Sequence, residues 1–140
     1  MNTPDIERVL TDLDHVRLTK LAEARGSAPL PSQVLEPLQD LLTDANVVPS
    51  REVGKNIVTV YSQLLVRLPG SAETSQIALC YPNDAELTKG FISVLSPMGL
   101  ALLGLSAGQT AQWRGPAGQT ISALVEAVVF QPEASGDYVT

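Results

Sequence analysis

A chain of 140 residues with a net charge of −6, 44% hydrophobic and 17% charged, has the makeup of one folded domain, or of one small domain with an appendage. Its hydrophobic content excludes general disorder, which goes with low hydrophobicity and high net charge. The excess of 15 Asp and Glu over 9 Lys and Arg speaks against gripping a phosphate backbone, so no direct nucleic-acid binding is expected.

No apolar run reaches the roughly 18 residues of a bilayer span, and no membrane association is expected. Residues 1–10 carry Asp5 and Glu7 and lack the basic and apolar regions of a secretory signal. Cys80 is the single cysteine and His15 the single histidine, too few for a disulfide or a soft-metal ligand set. These absences point to the cytoplasm.

Residues 1–48 read as two helices. Residues 5–10 fit either a helical extension or a short strand. Thr11 is placed to cap the first helix, with Asp12 and Asp14 near the positive end of its dipole. Leu13, Val16, Leu21 and Ala24 give its predicted apolar stripe, with Leu18 off centre. Gly26 ends it, and the following Ser-Ala-Pro-Leu-Pro makes a turn rich in helix breakers. In the second helix, Val34, Leu35, Leu38, Leu41, Leu42 and Ala45 follow one face of a 3.6-residue period. Pro37 predicts a small kink or a late start there. Two such helices with a short connection form an antiparallel αα-hairpin.

From residue 49 the period changes to two. Residues 56–68 read as a strand with Val58, Val60, Leu64, Val66 and Leu68 on one face. Pro69 and Gly70 turn the chain. Residues 77–81 and 91–95 are the next strands. Ser96 as N-cap, Pro97 at the first helical position and Gly104 past the end then enclose a short helix. Its predicted buried face is Met98, Ala101, Leu102 and Leu105. Residues 109–114 and 119–130 are strands about a Gly115–Gly118 turn, and Gln131-Pro132 ends the last. The whole is α+β, a hairpin at 1–48 followed at 49–140 by a curved antiparallel sheet with one short helix.

Chemistry-bearing constellations are scarce. His15 has no second histidine for a relay, and its plain place is the surface. Cys80 falls inside a strand as a small buried thiol. Gly99, Gly104 and Gly108 do not follow a strand in a βαβ unit, and are turn and cap glycines. Glu36 and Asp40 share a helix face, best understood as solvated. Trp113 suits the core or a partner contact. No cofactor is implied, and no catalytic or metal residue is assigned.

The run at 92–105, ISVLSPMGLALLGL, with Gly108, Trp113, Pro116 and Gly118 after it, resembles the C-terminal domain of the bacterial GreA/GreB transcript-cleavage factors. Ala-Leu-Leu-Gly-Leu at 101–105, Gln-Pro-Glu-Ala-Ser-Gly-Asp-Tyr at 131–138, Asp12-Leu13-Asp14 and Leu30-Pro31 resemble more closely that family's branch of regulators of nucleoside diphosphate kinase. The resemblance covers nearly the whole chain. It implies an FKBP-like sheet domain behind a short antiparallel coiled coil, and a partner, RNA polymerase, bound at the entrance of its secondary channel. The implied docking residues are Ser96, Pro97 and Met98 at the head of the short helix, and Ser27, Pro29, Leu30 and Pro31 at the hairpin tip. Ser96 and Pro97 serve equally as N-cap and first helical residue, and the two roles are compatible.

Cleavage factors carry acidic residues at the tip that help hold a catalytic metal, which needs oxygen ligands. Residues 26–34, GSAPLPSQV, contain none; Glu23 and Glu36 are the nearest. The resemblance therefore implies a non-enzymatic regulator that competes with Gre-type factors without stimulating cleavage. A peptidyl-prolyl isomerase, or a chaperone-like module that grips another protein, is the alternative. Residues 1–48 hold eight acids and four bases, and 49–140 seven and five. Most of the excess negative charge thus lies on the arm, while its tip is uncharged.

Overall fold

Two short strands bracket a pair of helices. In the computed structural model, which describes residues 7–23 and 30–136 apart from the side chain of Gln33, β1 (Val9–Thr11) leads directly into α1 (Asp12–Glu23). After α2 (Ser32–Asp44) comes β2 (Asn46–Val48), which pairs with β1 in parallel, Val9 opposite Asn46 and Thr11 opposite Val48. The Thr11 hydroxyl accepts from the Asp14 amide at 3.0 Å. That is the capping bond expected of it.

The remaining strands are β3 (Gln63–Arg67), β4 (Ser75–Cys80), β5 (Phe91–Ser93), β6 (Thr110–Arg114) and β7 (Thr120–Phe130). They form one sheet in the order β5-β4-β3-β7-β6. Two register shifts between β3 and β7 insert extra residues on β7, the kind of bulge that bends a sheet. The short helix α3 (Pro97–Leu102) packs on β6 and α2. Leu18 of α1 and Leu38 and Leu41 of α2 share one apolar cluster with Leu64, Leu79, Leu102 and Val125. Each fully buried leucine contributes about 1.5–3 kcal/mol. Gln63 stands opposite Ala78 and Phe130, and Ala78 opposite Phe91. The chain's two phenylalanines, 37% and 42% exposed, therefore lie in one row on the sheet's outer face.

The fold class is α+β as expected, but four expectations need correcting. The sheet is mixed, not antiparallel, because β4 and β5 run parallel. Single-turn 3-10 helices at Pro82–Asp84 and Leu87–Lys89 carry the chain back between them, so no hairpin joins these two strands. The strand expected over 56–68 is only Gln63–Arg67. Tyr61 takes a left-handed φ of 70°, and the Ser62 amide closes a turn onto the Thr59 carbonyl at 3.0 Å. Val58 and Val60 are still buried, but so is Thr59 between them, and Leu68, expected on the same face, is 48% exposed; the strict alternation holds only within β3.

On α1 the expected stripe is misplaced: Leu18 is fully buried and Val16 is 50% exposed. On α3, Gly99, Leu100 and Leu102 are buried, while Met98 and Ala101 are only half-buried. The α2 stripe stands as expected, with Val34, Leu38 and Leu41 buried. That helix starts at Ser32 and includes Pro37 rather than beginning late. Ala24, Gly26 and Gln33's side chain fall outside the described residues.

Candidate docking surface

The head of α3 is built by its sequence. Ser96 has extended backbone angles, and its hydroxyl accepts from the Gly99 amide at 3.0 Å. The same hydroxyl donates to the Ser93 carbonyl at 2.7 Å. Pro97 follows at the first helical position, where its missing N–H costs nothing. It is exposed, whereas Met98 is half-buried against the core. Gly99 admits no other residue without movement, since a Cβ there would lie 2.1 Å from the Ser93 carbonyl oxygen. Gly104 ends the unit with a φ of +86°.

Across from α3 lies a groove of about 540 Å³. It gathers Pro97, Leu100 and Ala101 of α3 with Trp113, Pro116 and Gly118 of the β6–β7 hairpin. Residues spread over 22 positions of sequence therefore share one surface. Ser32, Glu36 and Pro37 of α2 form the facing wall. Of the expected docking residues that are described, Pro97 alone lines this groove. Pro31 immediately precedes Ser32 and is exposed, and its carbonyl accepts from the Val34 and Leu35 amides at 2.9 Å each. Leu30 is half-buried against the core. Ser27 and Pro29 lie outside the described residues.

Three residues gain roles that the sequence did not disclose. Arg8 reaches the C-terminal end of α3, where its Nε donates to the Leu103 carbonyl at 2.9 Å and its terminal nitrogen to the carbonyls of Leu100 and Leu103. A cation there satisfies orphan carbonyls and the helix dipole together. Burial lowers its pKa to about 10, so it stays charged near neutral pH. Asp14 is 1% exposed. It accepts from the Val60 amide and the Tyr81 hydroxyl, each at 3.2 Å, and so ties α1 to the sheet. Gln131 donates to the carbonyls of Gly54 and Ile57, both at 2.8 Å. The spacing of a capping Thr11 before Asp14 was the one visible signal. His15, expected at the surface, is half-buried with Nε2 3.0 Å from the Leu42 carbonyl. A carbonyl only accepts, so that nitrogen carries the proton and links the start of α1 to the end of α2. Cys80 is buried as expected, and burial raises its pKa.

Residues 53–129 match the family described as transcription elongation factor, GreA/GreB, C-term. The chain belongs to the GreA/GreB family. Within that family it is 32% identical, over 99% of both chains, to the regulator of nucleoside diphosphate kinase of Escherichia coli K12. It is 29% identical over 59% of its length to the elongation factor GreA of Amoebophilus asiaticus, covering 52% of that protein. Among solved structures, the prokaryotic transcription elongation factor GreA/GreB from Nitrosomonas europaea superposes with a TM-score of 0.72 at 31% identity. The superposition covers 89% of this chain and all of that one. The relatives are regulators and elongation factors, so the GreA/GreB assignment carries transcription regulation with it. Among the described residues no helix is long and apolar enough to cross a membrane.

Proposed function

We propose that this chain is a non-enzymatic regulator that binds RNA polymerase at the entrance of its secondary channel, and that it competes there with Gre factors without stimulating transcript cleavage. The observation that carries the proposal is the groove in which the family's motif residues, Pro97, Leu100, Ala101, Trp113, Pro116 and Gly118, meet. The likeness to a regulator across 99% of the chain supports it. The sheet domain, residues 49–140, is FKBP-like on this proposal and docks by Ser96, Pro97 and Met98. Residues 1–48 are the antiparallel coiled-coil arm, with Ser27, Pro29, Leu30 and Pro31 at its tip. The absence of any carboxylate between Glu23 and Glu36 leaves that tip without the oxygen ligands that metal-assisted cleavage requires. The protein acts in the cytoplasm, where its partner is.

The exposed Pro97 ring and the half-buried Met98 supply contact area, while the Ser96 hydroxyl already holds Gly99 and Ser93. Ser96 therefore contributes chiefly by fixing the two residues after it. No finding favours the isomerase or chaperone-like alternative. A pull-down with core RNA polymerase, followed by competition against a Gre factor and a cleavage assay on a backtracked complex, tests the proposal. Binding, displacement of the Gre factor and slower cleavage are expected. No binding at micromolar concentration sinks it.

A further inference from the structure

The helices cover one face of the sheet. Leu18, Leu38 and Leu41 share a cluster with Leu64, Leu79 and Val125, and the residues next to these along each strand point the opposite way. The opposite face holds the row Phe91, Ala78, Gln63 and Phe130, one residue from each of four strands. Both phenylalanines are exposed, and Val129, the extra residue that the bulge leaves without a partner on β3, is half exposed beside Phe130. These three side chains present about 200 Å² of apolar area. The next row on the same face is Gln76, Leu65 and Ala127.

Every residue of the two rows is uncharged. Gln76 Nε2 donates to Gln63 Oε1 at 3.3 Å, so the two amides partly satisfy each other and lose less on leaving water than lone amides would. Two residues further along β3, Arg67 is ion-paired with Glu126 of β7, which balances the charge at that end of the face.

This neutrality selects the occupant. The chain carries a net charge of −6, with eight acids against four bases in residues 1–48, and two copies repel each other unless they meet away from that charge. Because α1 and α2 pack on the covered face, two copies joined by their other faces hold their helical segments on opposite sides, with both sheets between them. An uncharged apolar face complements another of its own kind, and a second copy related by a two-fold axis supplies one.

We propose that this face of the sheet pairs with the same face of a second copy, anchored by Phe91 and Phe130, in a weak and reversible homodimer. Its apolar area is well below what the roughly 800 Å² per partner of a standard interface contains, so the expected dissociation constant is about 10–500 micromolar. The docking groove lies on the helix side, where Trp113 packs against the core cluster, and it stays open in both copies.

Sedimentation velocity on the full chain, from about 5 micromolar to about 1 millimolar, tests the proposal. Reversible dimerisation is expected within that range. It should strengthen as salt rises, because screening removes the repulsion between two negative chains while the contact itself is uncharged. Concentration-dependent amide NMR shifts are expected around residues 63–65, 76–78, 91 and 127–130. Phe91→Thr with Phe130→Thr keeps strand-favouring residues at both positions and should weaken dimerisation about tenfold or more. Val16→Thr, on the exposed side of α1, should leave it unchanged. A dispersed amide spectrum establishes that the double variant is folded, and it should bind RNA polymerase as the native chain does. A native chain that stays monomeric throughout, equal dimerisation by the double variant, or shifts centred on the helices overturns the proposal. Loss of polymerase binding by the double variant, beside a native chain that stays monomeric, assigns the face to the polymerase instead.

Discussion

The Tyr81 hydroxyl, immediately after β4, donates to the Asp14 carboxylate in the first turn of α1 across 3.2 Å. The other carboxylate oxygen takes the Val60 amide. Asp14 is thereby the polar fastening between the helical segment and the sheet. Its environment works against its charge. Burial is the largest cause of a pKa raised from 3.8 to about 6, and the negative charge of Glu133 adds to the rise. Hydrogen bonds from Val60, Tyr81 and Thr11 pull the other way without cancelling it.

A carboxyl whose folded pKa lies above its unfolded value binds more protons folded than unfolded in the interval between the two. Its contribution to stability is fully present below roughly pH 4 and is lost as pH rises through about 6, a change on the order of 3 kcal/mol. Asp14→Asn removes that titration. Urea unfolding across this range should show a fall in stability for the native chain, relative to Asp14→Asn. Parallel pH curves for the two would refute the assignment.

Gly99 is the point at which α3 touches β5. An added Cβ would sit 2.1 Å from the Ser93 carbonyl oxygen and 3.0 Å from the Val94 Cα. Both neighbours are backbone, so neither can swing aside. Gly99→Ala should lower stability by about 1–3 kcal/mol, the usual cost of overpacking. Because the Gly99 amide also holds the Ser96 cap, the head of α3 should move. Thermal unfolding measures the first effect. On the proposed docking by the head of α3, loss of polymerase binding by a variant that remains folded measures the second.

The sequence disclosed α3 almost completely because its signals are local: a serine cap, a proline after it and a glycine beyond the end. It disclosed α2 because the buried face of that helix is wholly apolar. The inward face of α1 instead begins with Thr11 and Asp14, both buried. A hydropathy pattern assigns such residues to solvent, which rotated the predicted stripe onto Val16. The parallel pairing of β4 with β5 depends on two single-turn helices at 82–89 with no periodic signature. Pro97, Trp113 and Pro116 were visible as motif residues. Their convergence with Pro37 was not, since it depends on how α2 packs against α3. Arg8 was hidden for a related reason, because its partners are backbone carbonyls more than 90 positions away.

Removing the Arg8 guanidinium leaves the Leu100 and Leu103 carbonyls without their charged donor. Hydrogen bonds to a charged group are each worth about 1.5–3 kcal/mol. Arg8→Met keeps much of the packing volume and should cost about 2–3 kcal/mol in urea unfolding. Arg8→Lys should recover little of this, because an ammonium cannot reproduce the fork that reaches both carbonyls. Full recovery by lysine would mean that charge alone, and not the planar geometry, closes the end of α3.

The two residues that the helical pattern and the structure rank in opposite order make a direct comparison. Leu18 is fully buried among α2 and sheet residues, and Val16 is half exposed. Leu18→Ala should therefore cost about 2–5 kcal/mol, combining lost transfer energy with the cavity left behind. Val16→Ala on the open face should change stability by less than about 0.5 kcal/mol. The pair differ by two positions on one helix; Val→Ala gains a few tenths of a kcal/mol of helix propensity more than Leu→Ala does, which is small beside the expected burial contrast. Urea midpoints for the two variants decide which face of α1 carries the core. Equal losses would place the inward face between them, and with it would go the buried position of Asp14, which lies four residues, about one turn, before Leu18.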